Sequence, residues 1–335
     1  MNRTALIIGI SGQDGALLAD LLLRKGYRVH GTSRDAQHTD FASLERIGLR
    51  QRVNLHSLAP TDFRSVVQVL GNLHPDEIYL LAGQSSVALS FEQPAATLES
   101  IAIGALNVLE SMRVLDLPAR LYHAGSGECF GDIDGMACET TAFAPRSPYA
   151  VAKASAHWAV AHYRDAYGLH ASTGILFNHE SPLRPERFVT RKVVRAAVRI
   201  AAGQRERLRL GTLDIARDWG WAPEYVDAMW RMLEQPMPDD YVIATGIATP
   251  LAEFVARTFA ALDLDWRDHV EHDPSLRRPS DITRSCGDAA KARRLLGWQA
   301  TTSLDTLIGH LIAAERGQAW PTVASTSPSS ELTPP

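Results

Sequence analysis

The sequence predicts a doubly wound α/β fold: a parallel sheet with helices on both faces, followed by a smaller, partly helical region. Three observations carry this. Short apolar runs alternate with amphipathic stretches through the first half of the chain. Those runs are almost continuously apolar, as strands buried on both faces must be. A glycine-rich turn joins the first run to the first amphipathic stretch. Taken in order, residues 5–10 (ALIIGI) form a first buried strand, too short for a signal peptide or a bilayer span. Helical spacing follows at 16–26, 62–73 and 96–116, and strands at 27–33, 76–83 and 119–126. From about residue 175 the pattern loosens, with helical pieces at 192–202, 223–235 and 250–262 between irregular segments rich in Arg, Pro and Gly. The expected division is 1–175, a second region 176–318 interleaved with it at the carboxyl edge of the sheet, and a Ser/Thr/Pro-rich tail 319–335 with too little apolar surface to order itself.

The 335 residues are 45% hydrophobic and 21% charged, with a net charge of -4. That balance argues against nucleic acid or an anionic membrane as the main partner, so any bound anion must be held by a local site. Cys129, Cys138 and Cys286 are too few and too scattered for a disulfide framework, which points to free thiols in a reducing cytosol. Among twelve histidines there is no HxxxH or HExxH pattern, and no metal is expected.

The turn after the first strand reads GxxGxxG. Gly9, Gly12 and Gly15 allow a tight turn and close approach of backbone to a pyrophosphate, with Gln13 and Asp14 opening a helix whose N-terminus faces the charge. These five residues are the expected dinucleotide contacts. The second strand ends in Ser33-Arg34-Asp35. An Arg there suits the 2′-phosphate of NADP, while an acidic residue suits the ribose of NAD. Arg34 favours NADP, and Asp35 keeps NAD open.

Tyr149 and Lys153 form a YxxxK pair whose spacing places both on one helix face. A nearby ammonium, together with an oxidised nicotinamide, favours the phenolate. Alone, the pattern is as well read as a packed Tyr beside a surface Lys. Some two dozen residues earlier, however, the strand at 119–126 ends in Ser126-Gly127-Glu128. A hydroxyl at a strand end followed by YxxxK, after GxxGxxG, resembles the extended short-chain dehydrogenase/reductase family and its Rossmann sheet. Alcohol oxidation or epimerisation needs only hydroxyl, Tyr and Lys. Glu128 adds a base, which an elimination requires.

The segments GQDGALLADLLLRKGYRVHG, PRSPYAVAK, GILFNHESPLR, FVTRK, RDWG and DDYVIATG narrow the resemblance to the GDP-mannose 4,6-dehydratases, from about residue 4 to 315. The resemblance implies that Tyr149 takes the proton of the C4 hydroxyl as hydride leaves, that Lys153 holds the cofactor ribose, and that Ser126 hydrogen-bonds O4. Glu128 then removes the C5 proton, water leaves from C6, and the hydride returns there to give a 4-keto-6-deoxy sugar. It also implies substrate contacts from Asn178, Thr190, Arg191, Lys192, Arg217 and Arg278, with Arg184 a weaker candidate and His179 bordering the site. A GDP-sugar partner, a homodimer or homotetramer, a cytoplasmic location and a role in surface polysaccharide or deoxysugar synthesis follow from the same resemblance.

Four positions depart from the family pattern. Gly125-Ser126-Gly127-Glu128 stands where Ser-Thr-Ser-Glu is usual, Ala59 replaces an acidic residue near the adenine, and Leu80-Leu81-Ala82-Gly83-Gln84 replaces Asn-Leu-Gly/Ala-Ala-Gln. Arg34-Asp35 replaces Arg-Arg. The first departure predicts a roomier pocket beside C6, and with it a GDP-manno-heptose as substrate beside or instead of GDP-mannose; the equal alternative is neutral drift in an enzyme of GDP-mannose. Rival readings are a nucleotide-sugar 4-epimerase or 4-ketoreductase, against which Glu128 argues, and a non-catalytic NADP sensor, against which the retained Tyr149 and Lys153 argue.

Overall fold

The computed structural model describes residues 3–322. The strands are β1 (Thr4–Ile8), β2 (Arg28–Ser33), β3 (Asn54–Ser57), β4 (Glu77–Leu80), β5 (Arg120–Ala124), β6 (Ala171–Leu176), β7 (Asn178–Glu180), β8 (Leu208–Leu210), β9 (Ala216–Trp221), β10 (Tyr241–Ile243), β11 (Ala248–Pro250) and β12 (Val270–His272). The helices are α1 (Gln13–Arg24), α2 (Ala42–Arg46), α3 (Phe63–Leu73), α4 (Val87–Glu92), α5 (Pro94–Leu98), α6 (Gly104–Val114), α7 (Pro148–Tyr167), α8 (Val189–Ala201), α9 (Ala222–Leu233), α10 (Leu251–Ala260), α11 (Ala290–Leu296) and α12 (Leu304–Glu315).

Seven strands form one parallel sheet in the order β10-β6-β5-β4-β1-β2-β3. Strand order reverses between β1 and β4, and the crevice beyond their carboxyl ends is where such a sheet receives ligands. The period of two in β1 shows why the strand is apolar throughout. Ala5 and Ile7 pack into a core with Leu17, Leu18 and Met229, beneath α1 and α9. Leu6 and Ile8 face the opposite core with Val66, Leu109 and Val160, beneath α3, α6 and α7. Each fully buried aliphatic side chain contributes about 1.5–3 kcal/mol relative to exposure.

The second half of the chain supplies both β10 and α9 to this assembly, and builds a further core from Val193, Trp219, Phe254 and Leu311. The single helix expected over 96–116 is instead α5 and α6 joined by a π-turn over Glu99–Ile103. The first residues of the expected tail are not loose. Trp320 packs edge-on to Trp221 at 6.0 Å, and the Thr322 hydroxyl donates to Asp20 at 2.6 Å. The remainder of that tail, 323–335, lies outside the described residues.

Candidate active site

A cleft opens at the carboxyl edge of the sheet, between the strand ends and the segments around α8, β9 and residues 276–285. Ser126, Glu128, Tyr149 and Lys153 all line it. Beyond β5 the chain passes so close to β6 that a Cβ at Gly125 would lie 2.7 Å from Thr173 Cγ2. Ser126 then turns the chain, its Oγ accepting the Glu128 N–H at 3.2 Å. Across from it, Ser147 caps α7 by accepting the Ala150 N–H at 3.1 Å, and Pro148 starts the helix. Tyr149 and Lys153 are thereby set one turn apart against β5.

The Lys153 ammonium is buried and donates to the Ala124 carbonyl at 2.7 Å, 5.9 Å from the Tyr149 ring centre. Burial lowers its pKa to about 8, offset in part by Cys129 and Asp14. Burial raises the Tyr149 phenol, against a smaller opposing pull from the Ser126 hydroxyl. The chain by itself therefore does not supply the lowered phenol pKa that the YxxxK pair led us to expect. The ammonium is turned to a carbonyl, and the positive nicotinamide that completes the expectation belongs to the cofactor. Cys129, beside this group, is pushed up to about 12 by burial and stays a neutral thiol.

Burial likewise raises Glu128, opposed by Arg217 and Arg278. Arg217 Nε lies 4.0 Å from Glu128 Oε1, while its Nη2 donates to Asp281 Oδ1 at 2.8 Å. Arg278 reaches the same Asp281 oxygen at 3.4 Å. One carboxylate thus holds two guanidinium groups beside the expected base. Asp281, three residues after Arg278 in the sequence, is a site residue that the motifs did not mark.

On the dinucleotide side, Gly9 has φ +102, and a Cβ there would sit 2.8 Å from the Ala82 nitrogen beyond β4. At Gly15 a Cβ would meet the Gly9 carbonyl oxygen at 2.5 Å. Gly12 caps α1 without any side-chain hydrogen bond, so the first N–H groups of α1 have no capping side chain. Asp14 lines the cleft, but its neighbour Gln13 does not. The Gln13 amide is buried and donates to the His179 carbonyl at 3.2 Å, while its oxygen accepts from the Ser181 hydroxyl at 2.8 Å. Arg34 is exposed at the end of β2. Asp35 is exposed as well, but its carboxylate is engaged within its own loop: it accepts the Gln37 and His38 N–H groups and pairs with the His38 ring at 2.8 Å.

Of the expected substrate contacts, Asn178, Thr190, Lys192, Arg217 and Arg278 border the cleft, as does Arg184. Thr190 spends its hydroxyl on Glu180, at 2.6 Å, tying α8 to β7. Lys192 donates to the Arg209 carbonyl at 2.7 Å. Arg191, one residue away on the helix, faces the protein interior and pairs with Glu315 of α12 at 2.5 Å, which removes it from the substrate candidates. The space expected beside Gly127 is filled: a Cβ there would lie 3.0 Å from the ring of Phe177. Among the described residues, no group of three or more His, Cys, Asp or Glu could hold a metal ion, and no helix is long and apolar enough to cross a membrane.

The model of the GDP-mannose 4,6 dehydratase family matches residues 6–311. The chain belongs to the GDP-mannose 4,6-dehydratase family. It is 44% identical over 320 residues to GDP-mannose 4,6 dehydratase 1 of Arabidopsis thaliana, covering 92% of this chain and 89% of that one. It is also 44% identical over 335 residues to GDP-mannose 4,6-dehydratase of Sinorhizobium fredii, covering 92% and 95%. DesIV, a dTDP-glucose 4,6-dehydratase from Streptomyces venezuelae solved with NAD bound, shares the fold with a TM-score of 0.82 at 21% identity, over 94% of this chain and 98% of that one. As a member of the GDP-mannose 4,6-dehydratase family, the protein is a sugar-nucleotide 4,6-dehydratase.

Proposed function

We propose that the chain converts a GDP-linked manno sugar to its 4-keto-6-deoxy form with NADP, and that GDP-mannose is the preferred substrate. The observation that carries the reading is the placement of Glu128. It is a half-buried carboxyl on the same short turn as Ser126, in the cleft that also holds Tyr149. The uncapped start of α1 and the glycine turn held against Ala82 fit a dinucleotide pyrophosphate. Arg34, exposed at the strand end while Asp35 is engaged by its own loop, fits a 2′-phosphate. When bound, the nicotinamide supplies the acceptor for hydride from C4 and its return at C6.

The chain's own groups do the rest. Tyr149 withdraws the proton from O4 while the Ser126 hydroxyl steadies that oxygen. Lys153 holds the cofactor ribose. Once C4 is a ketone the C5 proton is acidic; Glu128 removes it and delivers a proton to the hydroxyl leaving C6 as water, and the proton that Tyr149 took from O4 balances the one C5 gains when hydride returns to C6. Burial suits Glu128 to both tasks, because a raised carboxyl pKa brings accepting and donating closer to balance. Arg217, Arg278 and Lys192, with Asn178, border the place where the GDP moiety would lie, and guanidinium groups suit its diphosphate.

GDP-mannose is preferred over a GDP-manno-heptose because Phe177 occupies the room that Gly127 would otherwise open. The heptose reading keeps one support, the methyl that Ser126 lacks relative to Thr. Purified enzyme offered both sugar nucleotides, with products identified by mass spectrometry, decides between them: faster turnover of the heptose would overturn the preference. Glu128→Gln should still pass hydride from C4 but yield little 4-keto-6-deoxy product, and an undiminished yield would favour a 4-epimerase or 4-ketoreductase. We further propose a homodimer through α6 and α7, which expose Leu106, Val151 and Trp158; light scattering of the purified protein tests it. A cytoplasmic location and a supply of deoxysugar for surface polysaccharide complete the proposal.

A further inference from the structure

The strand that follows the main sheet is pinned to the dinucleotide turn by an ion pair. His179 is buried on β7, with its ring stacked 4.6 Å from Tyr225 of α9 at an interplanar angle of 21°. Its Nε2 lies 2.9 Å from Asp14 Oδ2, and its Nδ1 lies 2.7 Å from the Phe177 carbonyl oxygen. Both partners are acceptors: the carbonyl oxygen has no hydrogen to offer, and neither has Asp14 while it is ionised, the form its lowered pKa favours. A neutral imidazole has one N–H and one lone pair, so it would set a lone pair against an oxygen at hydrogen-bond distance. The contacts are satisfied only by the doubly protonated ring. Asp14 also occupies an awkward place. It is in the first turn of α1, beside the N–H groups that would receive a pyrophosphate, where an uncompensated carboxylate would repel the ligand.

We propose that His179 is a positioning residue for the dinucleotide: as an imidazolium it neutralises Asp14 at the pyrophosphate turn and ties that turn to β7 of the substrate side. The proposal rests on the dinucleotide reading above. Its connections run both ways across the cleft, since Gln13 adds a second tie from α1 to the His179 carbonyl. The charged and titratable neighbours agree with the assignment. Asp14 raises the His179 pKa despite burial and a nearby Arg184, and His179 brings Asp14 down to about 2 against its own burial. Lys153 from α7 and the buried phenol of Tyr122 from β5 also feel the Asp14 charge. Tyr225 presents only the face of its ring.

A double-mutant cycle on NADPH affinity, read by nucleotide fluorescence, tests this. His179→Gln should weaken binding about tenfold by leaving Asp14 with only the Gln13 amide at 2.9 Å and the charge of Arg184, and adding Asp14→Asn should bring affinity back to within about twofold of Asp14→Asn alone. A role confined to packing gives no such rescue, and unchanged affinity in His179→Gln or failure of the second substitution to rescue would overturn the proposal. No NADPH binding by the unmodified chain would overturn the dinucleotide reading as well. If His179→Gln does not fold, ring-labelled histidine NMR of the unmodified protein serves. One of the histidine signals should stay protonated well above the ordinary value of about 6.5 and return toward it in Asp14→Asn. Ordinary titration of every histidine would overturn the proposal.

Discussion

Phe177 stands where Gly127 has no side chain: a Cβ at Gly127 would lie 3.0 Å from Phe177 Cζ. The ring also meets Gly287, where a Cβ would lie 2.6 Å from Phe177 Cε2. The ring therefore takes up room that two glycines leave beside the catalytic turn. Gly127→Ala should push the ring out of place and cost about 1–3 kcal/mol in urea unfolding, as overpacked cores do. Phe177→Leu should instead free space, and raise turnover of a GDP-manno-heptose relative to GDP-mannose by about tenfold or more. An unchanged ratio would mean that the ring does not face the C6 end of the sugar.

Lys153 links acidity to both turnover and stability. With its pKa lowered to about 8 by burial, kcat/KM should fall as pH rises through that value, because the ammonium that holds the cofactor ribose is lost. Stability moves the opposite way. Below about 8 both folded and unfolded chains carry the proton, and burial of the charge opposes folding in full. Between about 8 and the ordinary 10.5 the unfolded chain alone holds it, so this unfavourable contribution fades as pH rises. Urea titrations at the two ends of that window, with Lys153→Met as the reference, measure the effect; a gap independent of pH would show the ammonium is not desolvated.

Arg34 sets the cofactor in our reading. Its replacement by Ala should weaken NADP binding by about 10- to 100-fold, the worth of a charge-assisted hydrogen bond, and leave NAD affinity nearly unchanged. Dissociation constants for both nucleotides give the ratio. Equal losses for the two would indicate a general effect on the loop.

Arg217 holds Glu128 down against burial. Arg217→Met should raise the Glu128 pKa, move the acid limb of the kcat/KM profile to higher pH and increase KM for the sugar nucleotide. Asp281→Asn should move the limb to lower pH, since Asp281 raises Glu128 and also occupies both guanidinium groups. Shifts in the same direction for the two variants would exclude an electrostatic origin.

The strongest features were legible because each left a local pattern. Residues 5–10 show the continuous apolar run of a strand buried on both faces, and GxxGxxG and YxxxK sit at fixed offsets from strands. Strand β3 was not placed, because Asn54–Ser57 lies at a half-exposed sheet edge and has one apolar residue, Leu55. The joint between α5 and α6 escaped for another reason: a π-turn displaces the helical spacing by only about one residue and has no Gly or Pro within it to mark it. Within the site, residue type told which groups could react and not where they would point. Arg191 and Lys192 are neighbours in sequence yet lie on different faces of α8. Thr190 and Gln13 border a functional region and spend their polar atoms on the protein itself. The Gly127–Phe177 fit joins positions fifty residues apart in the chain, and no local pattern marks it.

On one side β6 pairs with β5, made before it; its outer partner in the main sheet is β10, made long after it. While the chain is being synthesised, β6 therefore waits with an open hydrogen-bonding edge, and the face that α9 will cover remains greasy. A nascent chain in that interval is a candidate for chaperone capture or for pairing with another unfinished copy. Interrupting synthesis before Tyr241 should leave a sticky intermediate and not a free-standing nucleotide-binding unit.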